Sequence, residues 1–319
     1  RIKSKKFNFY FSNFIISLDF ELKWGVIDIE NYDSNVLGAR TAIPKILSLF
    51  VKHDINATWA TVGMLFCATK CDFEKYKPSL LPSYDNTSLN PYNEVIGESE
   101  SVDKLHYAYT LIDMIRKTPN QEIASHTYSH YYTLEYSQND REFKEDIDSA
   151  IKISIAKFNI KPTSMVFPRN QINKSYLKIL RNNYGFTHYR GNPDCFIYKN
   201  GHNPGRFVYR VIRLLDSFIN ITGYQFSLVE KYDNGLINVP GSRMLRPFIG
   251  IKILNFMMLR RIKKEMLFCA KNNKNYHLWW HPHNFGVNQK NNLNNLEELL
   301  CYYTLLKDKY KMKSNCMKD

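Results

Sequence analysis

The chain has 319 residues, 44% hydrophobic and 14% aromatic, which supplies a sizeable core and excludes a disordered polypeptide. Lysine and arginine total 44 against 30 aspartate and glutamate, a net charge of +14. That excess attracts phosphate groups, acidic glycans, nucleic acid or anionic headgroups without choosing among them.

Strand-like and helix-like segments alternate along the chain. Residues 14–18, Phe-Ile-Ile-Ser-Leu, are a short apolar run typical of a buried parallel strand. Ile43, Ile46, Leu47 and Phe50 follow at helical spacing, and residues 57–65 read as a second strand. Leu105, Ala108, Tyr109 and Ile112 mark a helix leading to a strand around Ile123. Ser137 and Asp140 have the form of a capping box ahead of an apolar face of Phe143, Ile147, Ala150 and Ile151. Residues 165–167, 186–189, 236–239 and 276–280 are further strands, and Leu293, Leu296, Leu300 and Tyr303 mark a last helix.

Repeated β-then-α units predict an α/β fold with mainly parallel strands. Residues 70–100 and 191–235 break the rhythm as long insertions, the first read as a loop over a site. With no internal repeat and no linker, residues 1–319 read as one domain. The six cysteines form no disulfide framework, and Cys67 and Cys71 lack a second pair at zinc-finger spacing, so a reducing, cytoplasmic setting is expected. No apolar run reaches the length of a bilayer span.

Ionisable residues recur where the strands end: Asp19 and Glu21, His126 and His130, Arg169, then His281 and His283. In a parallel sheet those ends share one face, where sites are built. His126 and His130, four apart, are expected on one side of a helical turn and able to share a metal. Asp19 and Glu21 offer two carboxylates on one face of an extended segment.

These residues carry a resemblance. Residues 16–21, Ile-Ser-Leu-Asp-Phe-Glu, resemble the first motif of the NodB-homology polysaccharide deacetylases, where two adjacent acidic residues follow a strand. Residues 123–130, Ile-Ala-Ser-His-Thr-Tyr-Ser-His, are similar to that family's histidine motif, and residues 56–63, Asn-Ala-Thr-Trp-Ala-Thr-Val-Gly, to its second strand. Residues 166–171, Val-Phe-Pro-Arg-Asn-Gln, sit where the family has its arginine- and proline-containing motif. Residues 278–283, Leu-Trp-Trp-His-Pro-His, correspond to its late histidine strand.

The resemblance implies a distorted (β/α) barrel that hydrolyses an N-acyl group, acetyl or formyl, from an amino sugar of a polysaccharide or of a lipid- or nucleotide-linked precursor. It implies a divalent metal on Glu21, His126 and His130, Asp19 as general base, Arg169 orienting Asp19, and His281 as acid with His283 as the alternative. Zinc is the first choice by ligand type, and cobalt, nickel or iron suit the same donors. Two departures stand out. The acidic motif is Asp-x-Glu, which leaves Asp19 or Glu21 as the metal carboxylate, and the family's aspartate-containing fourth motif has only Asp216 as a candidate.

Two rival readings are an inactive carbohydrate-binding relative and a nucleic-acid binder. No basic stripe with interleaved aromatics supports the latter, so no nucleic-acid partner is expected. Within residues 243–264 an apolar stretch is edged by Arg243, Arg246, Arg260, Arg261, Lys263 and Lys264. It is read either as peripheral contact with an anionic membrane, at its inner face, or as a barrel helix packing Ile251, Leu254, Met258 and Ile262 inward. Oligomeric state is not legible.

Overall fold

The computed structural model describes residues 11–198, 206–227, 231–233 and 235–319. The strands are β1 (Asn13–Phe20), β2 (Ala57–Thr61), β3 (Gln121–Ser125), β4 (Ser164–Met165), β5 (His188–Tyr189), β6 (Lys231–Asp233), β7 (Leu236–Asn238), β8 (Arg243–Met244), β9 (Tyr276–Trp280) and β10 (Lys313–Asn315). They form one sheet in the order β6-β7-β5-β4-β3-β2-β1-β9-β8, with β10 on the start of β1. Every pairing is parallel except β6 with β7.

β7 and β8 are the two ends of one stretch of chain. Between them Gly241 N–H donates to Gly191 O at 2.9 Å and Ser242 N–H to His277 O at 2.8 Å. The stretch therefore leans on β5 at its start and β9 at its end, and the sheet curls into the expected distorted (β/α) barrel.

The helices are α1 (Asp33–Lys52), α2 (Lys70–Tyr76), α3 (Tyr109–Lys117), α4 (Asp140–Phe158), α5 (Lys174–Ile179), α6 (Arg206–Asp216), α7 (Lys252–Lys271) and α8 (Gln289–Tyr310). Strand alternation divides the core. Ile16, Leu18 and Phe20 of β1 join Ile43, Ile46 and Phe50 of α1 and Leu296 and Tyr303 of α8. Ile15, on the other face, meets Ala60, Val166, Val239 and Met317 inside the barrel. The C-terminus plugs one end: Met317 N–H donates to Thr58 Oγ1 at 2.8 Å, and the Thr58 and Ser164 hydroxyls both donate to Glu122 at 2.6 Å. The opposite end, where the strands finish, is left for the site.

Several local expectations are corrected. α4 is capped by Asn139, whose side chain accepts from the N–H groups of Arg141 and Glu142. Ser137 instead takes a left-handed φ of 69° and bonds Asp85. The strand expected over residues 57–65 stops at Thr61 and tightens into a single turn, Gly63–Phe66. Residues 70–100 and 191–235 are not wholly irregular, since they hold α2 and α6.

The basic stretch also reads differently in three dimensions. α7 packs Met258, Leu259, Ile262 and Met266 inward, as the barrel-helix reading expected of Met258 and Ile262, whereas Ile251 is exposed. Arg243 and Arg261 are buried rather than flanking: Arg243 reaches Glu265 at 2.7 Å and Asp216 at 3.1 Å, and Arg261 reaches Asp216 at 3.0 Å. None of the described helices is long and apolar enough to cross a membrane. All six cysteines are free.

Candidate active site

Glu21 follows β1, and its carboxylate is wrapped by the turn Leu22–Gly25. A Cβ at Gly25 would fall 2.0 Å from the Glu21 carboxyl carbon, so only glycine lets the turn close on this side chain. His126 follows β3 directly. Its Nδ1 lies 2.8 Å from Val166 O, which can only accept, so Nδ1 carries a proton and in the neutral tautomer the lone pair is on Nε2.

Residues 126–130 are not a helical turn, contrary to the expectation from their spacing. They form a tight loop in which Thr127 (φ 63°) and His130 (φ 56°) are left-handed. A β-branched residue held there costs about 1–3 kcal/mol. The loop is pinned from three sides. Thr127 O accepts from Gly63 N–H at 2.9 Å, and Thr127 Oγ1 accepts from Tyr131 N–H at 2.7 Å. The buried Asp146 of α4 accepts from the N–H groups of Tyr128 (2.6 Å) and Ser129 (3.0 Å) and from the Ser129 hydroxyl. Burial pushes the Asp146 carboxyl up to about 6 in spite of these donors.

The strained loop brings the two imidazoles together, with ring centroids 5.1 Å apart. His130 Nε2 is 3.0 Å and His126 Nε2 3.3 Å from the same oxygen, Glu21 Oε2. Donor atoms of Glu21, His126 and His130 all lie within 4.8 Å of one another, and all three residues are buried. His126 Nε2 is buried with no hydrogen-bond partner. An orphaned imidazole nitrogen aimed at a carboxylate beside a second imidazole fits a divalent cation. Burial lowers the pKa of His130, although Glu21 opposes it, which keeps that ring in its ligating form. Burial would raise the Glu21 carboxyl, but the imidazoles of His281, His130 and His126, in their protonated forms, outweigh it and hold the group well below its ordinary range.

Asp19, two residues before Glu21, lies outside this trio. Its carboxylate takes a two-pronged grip from Arg190, at 2.6 and 2.7 Å. Burial alone would raise Asp19, yet the Arg190 guanidinium wins and its carboxyl is lowered. Arg169, the arginine expected here, is elsewhere: it grips Asp28 at 2.6 Å and lies over the Tyr132 ring. Arg190 was missed, although it directly follows β5 and the strand-end rule that singled out the other polar residues applies to it as well. Further donations to Ser17 Oγ (2.9 Å) and Asn170 Oδ1 (3.0 Å), with Trp279 stacked 4.4 Å from its carbon, fix its orientation.

His281, directly after β9, sits between the carboxylates, Nε2 3.7 Å from Asp19 and 3.6 Å from Glu21. Its side chain is 22% exposed, against 4% for His283. His283 stacks beneath it at 5.0 Å and packs edge-on against Tyr32. Burial, reinforced by His281, pushes His283 down to about 3. Asp216 stands apart in the Arg243–Arg261 network and touches neither histidine.

A two-histidine, one-carboxylate cluster that could hold a cation lies at the open end of the (β/α) barrel, beside a separately held aspartate and an accessible histidine. The family model described as polysaccharide deacetylase matches residues 31–188, and over those residues the chain is similar to the polysaccharide deacetylases. The matched segment contains His126 and His130 but neither Asp19 nor Glu21.

Solved structures agree on the fold. A Mycobacterium smegmatis protein assigned by name to the polysaccharide deacetylases is 12% identical, with TM-score 0.60 over 97% of this chain and 88% of that one. A Pseudomonas aeruginosa protein assigned likewise is 11% identical, with TM-score 0.55 over 96% and 88%. The Puue allantoinase is 12% identical, with TM-score 0.54 over 96% and 87%. One of these similar folds thus bears an allantoinase's name, so the fold alone does not choose the substrate. Comparison with the curated proteins finds no match.

Proposed function

We propose that this chain is a divalent-metal-dependent hydrolase that removes an N-acetyl or N-formyl group from an amino sugar. The observation that carries the reading is the pairing of Glu21, His126 and His130 within 4.8 Å with His281 bridging Asp19 and Glu21 at 3.7 and 3.6 Å. Glu21 and the two imidazoles would hold the cation, zinc by donor type, which when bound polarises the acyl carbonyl and acidifies water.

The chain's own residues then divide the proton transfers. Asp19, kept ionised by Arg190, accepts a proton from the attacking water. His281, partly exposed and beside both carboxylates, donates a proton to the departing sugar nitrogen as the tetrahedral adduct collapses. Arg190 acts through Asp19 as a positioning residue. The test is release of acetate and formate from a panel of neutral, nucleotide-linked and lipid-linked N-acyl amino sugars, before and after chelation. Turnover that vanishes with chelator and returns with zinc supports the reading. Sugar binding with no acyl release from any member makes the chain an inactive carbohydrate-binding relative.

We also propose peripheral contact with an anionic membrane at its inner face. α6 exposes Phe207, Val208, Leu214 and Leu215, and the approach to α7 and its first turns expose Ile249, Ile251, Ile253 and Phe256. Arg246 joins the two segments by donating to Ser217 Oγ at 2.6 Å. Exposed Arg210 and Lys252 lie among these residues in sequence, exposed Arg260 and Lys264 follow them on α7, and basic residues near an anionic bilayer contribute about 1 kcal/mol each. Co-sedimentation with phosphatidylserine vesicles at low salt is expected, reduced at least about ten-fold by Phe207→Ser with Leu214→Ser. Absence of binding at low salt overturns the proposal.

A further inference from the structure

Beside Arg190 lies a cavity of about 340 Å³ whose lining includes none of Glu21, His126 and His130. Its walls include Arg190, Trp279, Asn170, Tyr209, Arg210 and Arg246. Arg169 and Arg213 also line it, whereas among the described residues its only lining carboxylate is Glu135, which accepts from Gln171 Nε2 at 2.7 Å.

Two of the arginines are committed to carboxylates, Arg169 to Asp28 and Arg190 to Asp19. Arg246 is held differently: its Nε donates to Ser217 Oγ at 2.6 Å and its Nη2 to Arg213 O at 3.5 Å, both neutral acceptors. These contacts fix the guanidinium without neutralising it. Burial, and then the charges of Arg243 and Arg213, lower its pKa, the opposite of what a carboxylate partner does. Arg210 is exposed on α6. A part-buried cation among other cations is unfavourable until an anion enters, and a guanidinium fork matches the oxygens of phosphate or carboxylate.

We propose that this cavity is an oxyanion subsite, binding a phosphate or carboxylate substituent of the amino-sugar substrate through Arg246 and Arg210. The inference rests on the hydrolase reading for which molecule enters, because the cavity shares the Arg190 wall with Asp19. It narrows the substrate class to amino sugars that carry an anionic group. Trp279, already stacked on Arg190, gives the cavity an apolar wall.

The test measures binding separately from hydrolysis, using the full chain after chelation so that the metal trio contributes no anion affinity. N-acetylglucosamine 1-phosphate, N-acetylmuramic acid and neutral N-acetylglucosamine are titrated by calorimetry at low salt. At least one charged sugar is expected to bind about ten-fold or more tightly than the neutral one, and which one does so separates phosphate from carboxylate. Arg246→Gln is expected to reduce that preference at least about five-fold. Arg210→Gln, at an exposed position that cannot perturb the core, is expected to reduce it too. Arg246→Lys, which keeps charge but loses the fork, should fall between. Equal affinity for charged and neutral sugars in the unaltered chain overturns the subsite, as does a preference untouched by both glutamine variants. A preserved preference without acyl release from any sugar overturns the hydrolase reading and leaves the subsite standing.

Discussion

Asp19→Asn is expected to lower kcat by about 10²–10⁴-fold while leaving metal content unchanged. The amide that replaces the carboxylate still fills the space but can no longer accept the proton from water. Asp19 lies outside the cluster of possible ligands, so metal measured by elemental analysis should persist. The same change removes the counterion of Arg190, which is 1% exposed. Breaking one side of a buried pair costs about 3–5 kcal/mol, so a fall in Tm accompanies the loss of activity.

The pH dependence of that stability difference has a definite sign. Burial would raise the Asp19 carboxyl, but Arg190 outweighs it and the group is lowered from its ordinary 3.8. Its contribution is therefore present above 3.8 and is lost as pH falls through the lower folded value. Acid-unfolding curves of the two proteins should converge only below about pH 4. If Asp19→Asn strips the metal, the roles assigned to Asp19 and Glu21 are reversed. Arg190→Met should reproduce most of the kcat loss and Arg169→Met should not, since of these two arginines Arg190 is the one paired with Asp19.

Removing a ligand acts through a different observable. Glu21→Ala, His126→Ala and His130→Ala should each weaken zinc binding by more than the roughly 10–100-fold typical of an outer-shell partner, and abolish turnover with it. Equilibrium dialysis measures the first and acyl release the second. A zinc-soaked crystal should place ligand atoms about 2.0–2.2 Å from the ion. Gly25→Ala tests the same point from outside the cluster, because the added methyl would occupy the position of the Glu21 carboxylate. Zinc affinity equal to that of the unaltered chain in His130→Ala would remove this trio from consideration.

Family resemblance, barrel type and the residues at the strand ends were legible in the chain itself. The strands of the barrel centre are buried on both faces, so β1 and β9 announce themselves as apolar runs, and Asp19, His126 and His281 are marked by position alone. Spacing paired His126 with His130 but did not set the conformation: a helical turn was expected, and a strained loop held by Asp146 brings the rings together instead. Nothing local encodes that loop, because Asp146 arrives from the middle of α4.

Which arginine faces Asp19 was decided only by the tertiary structure. β4 and β5 are two residues each, too short for alternation to set which side chains point inward. Arg169 takes a left-handed φ of 51° and turns to Asp28, while Arg190 projects across the barrel to Asp19. The burial of Arg243 and Arg261 was likewise invisible in sequence, where both read as flanking surface charge; their shared counterion Asp216 comes from a distant segment, and Glu265 of α7 reaches Arg243 across the fold. Charge type is a property of the residue, but whether a charge meets water, a counterion or a substrate depends on which distant segment folds beside it.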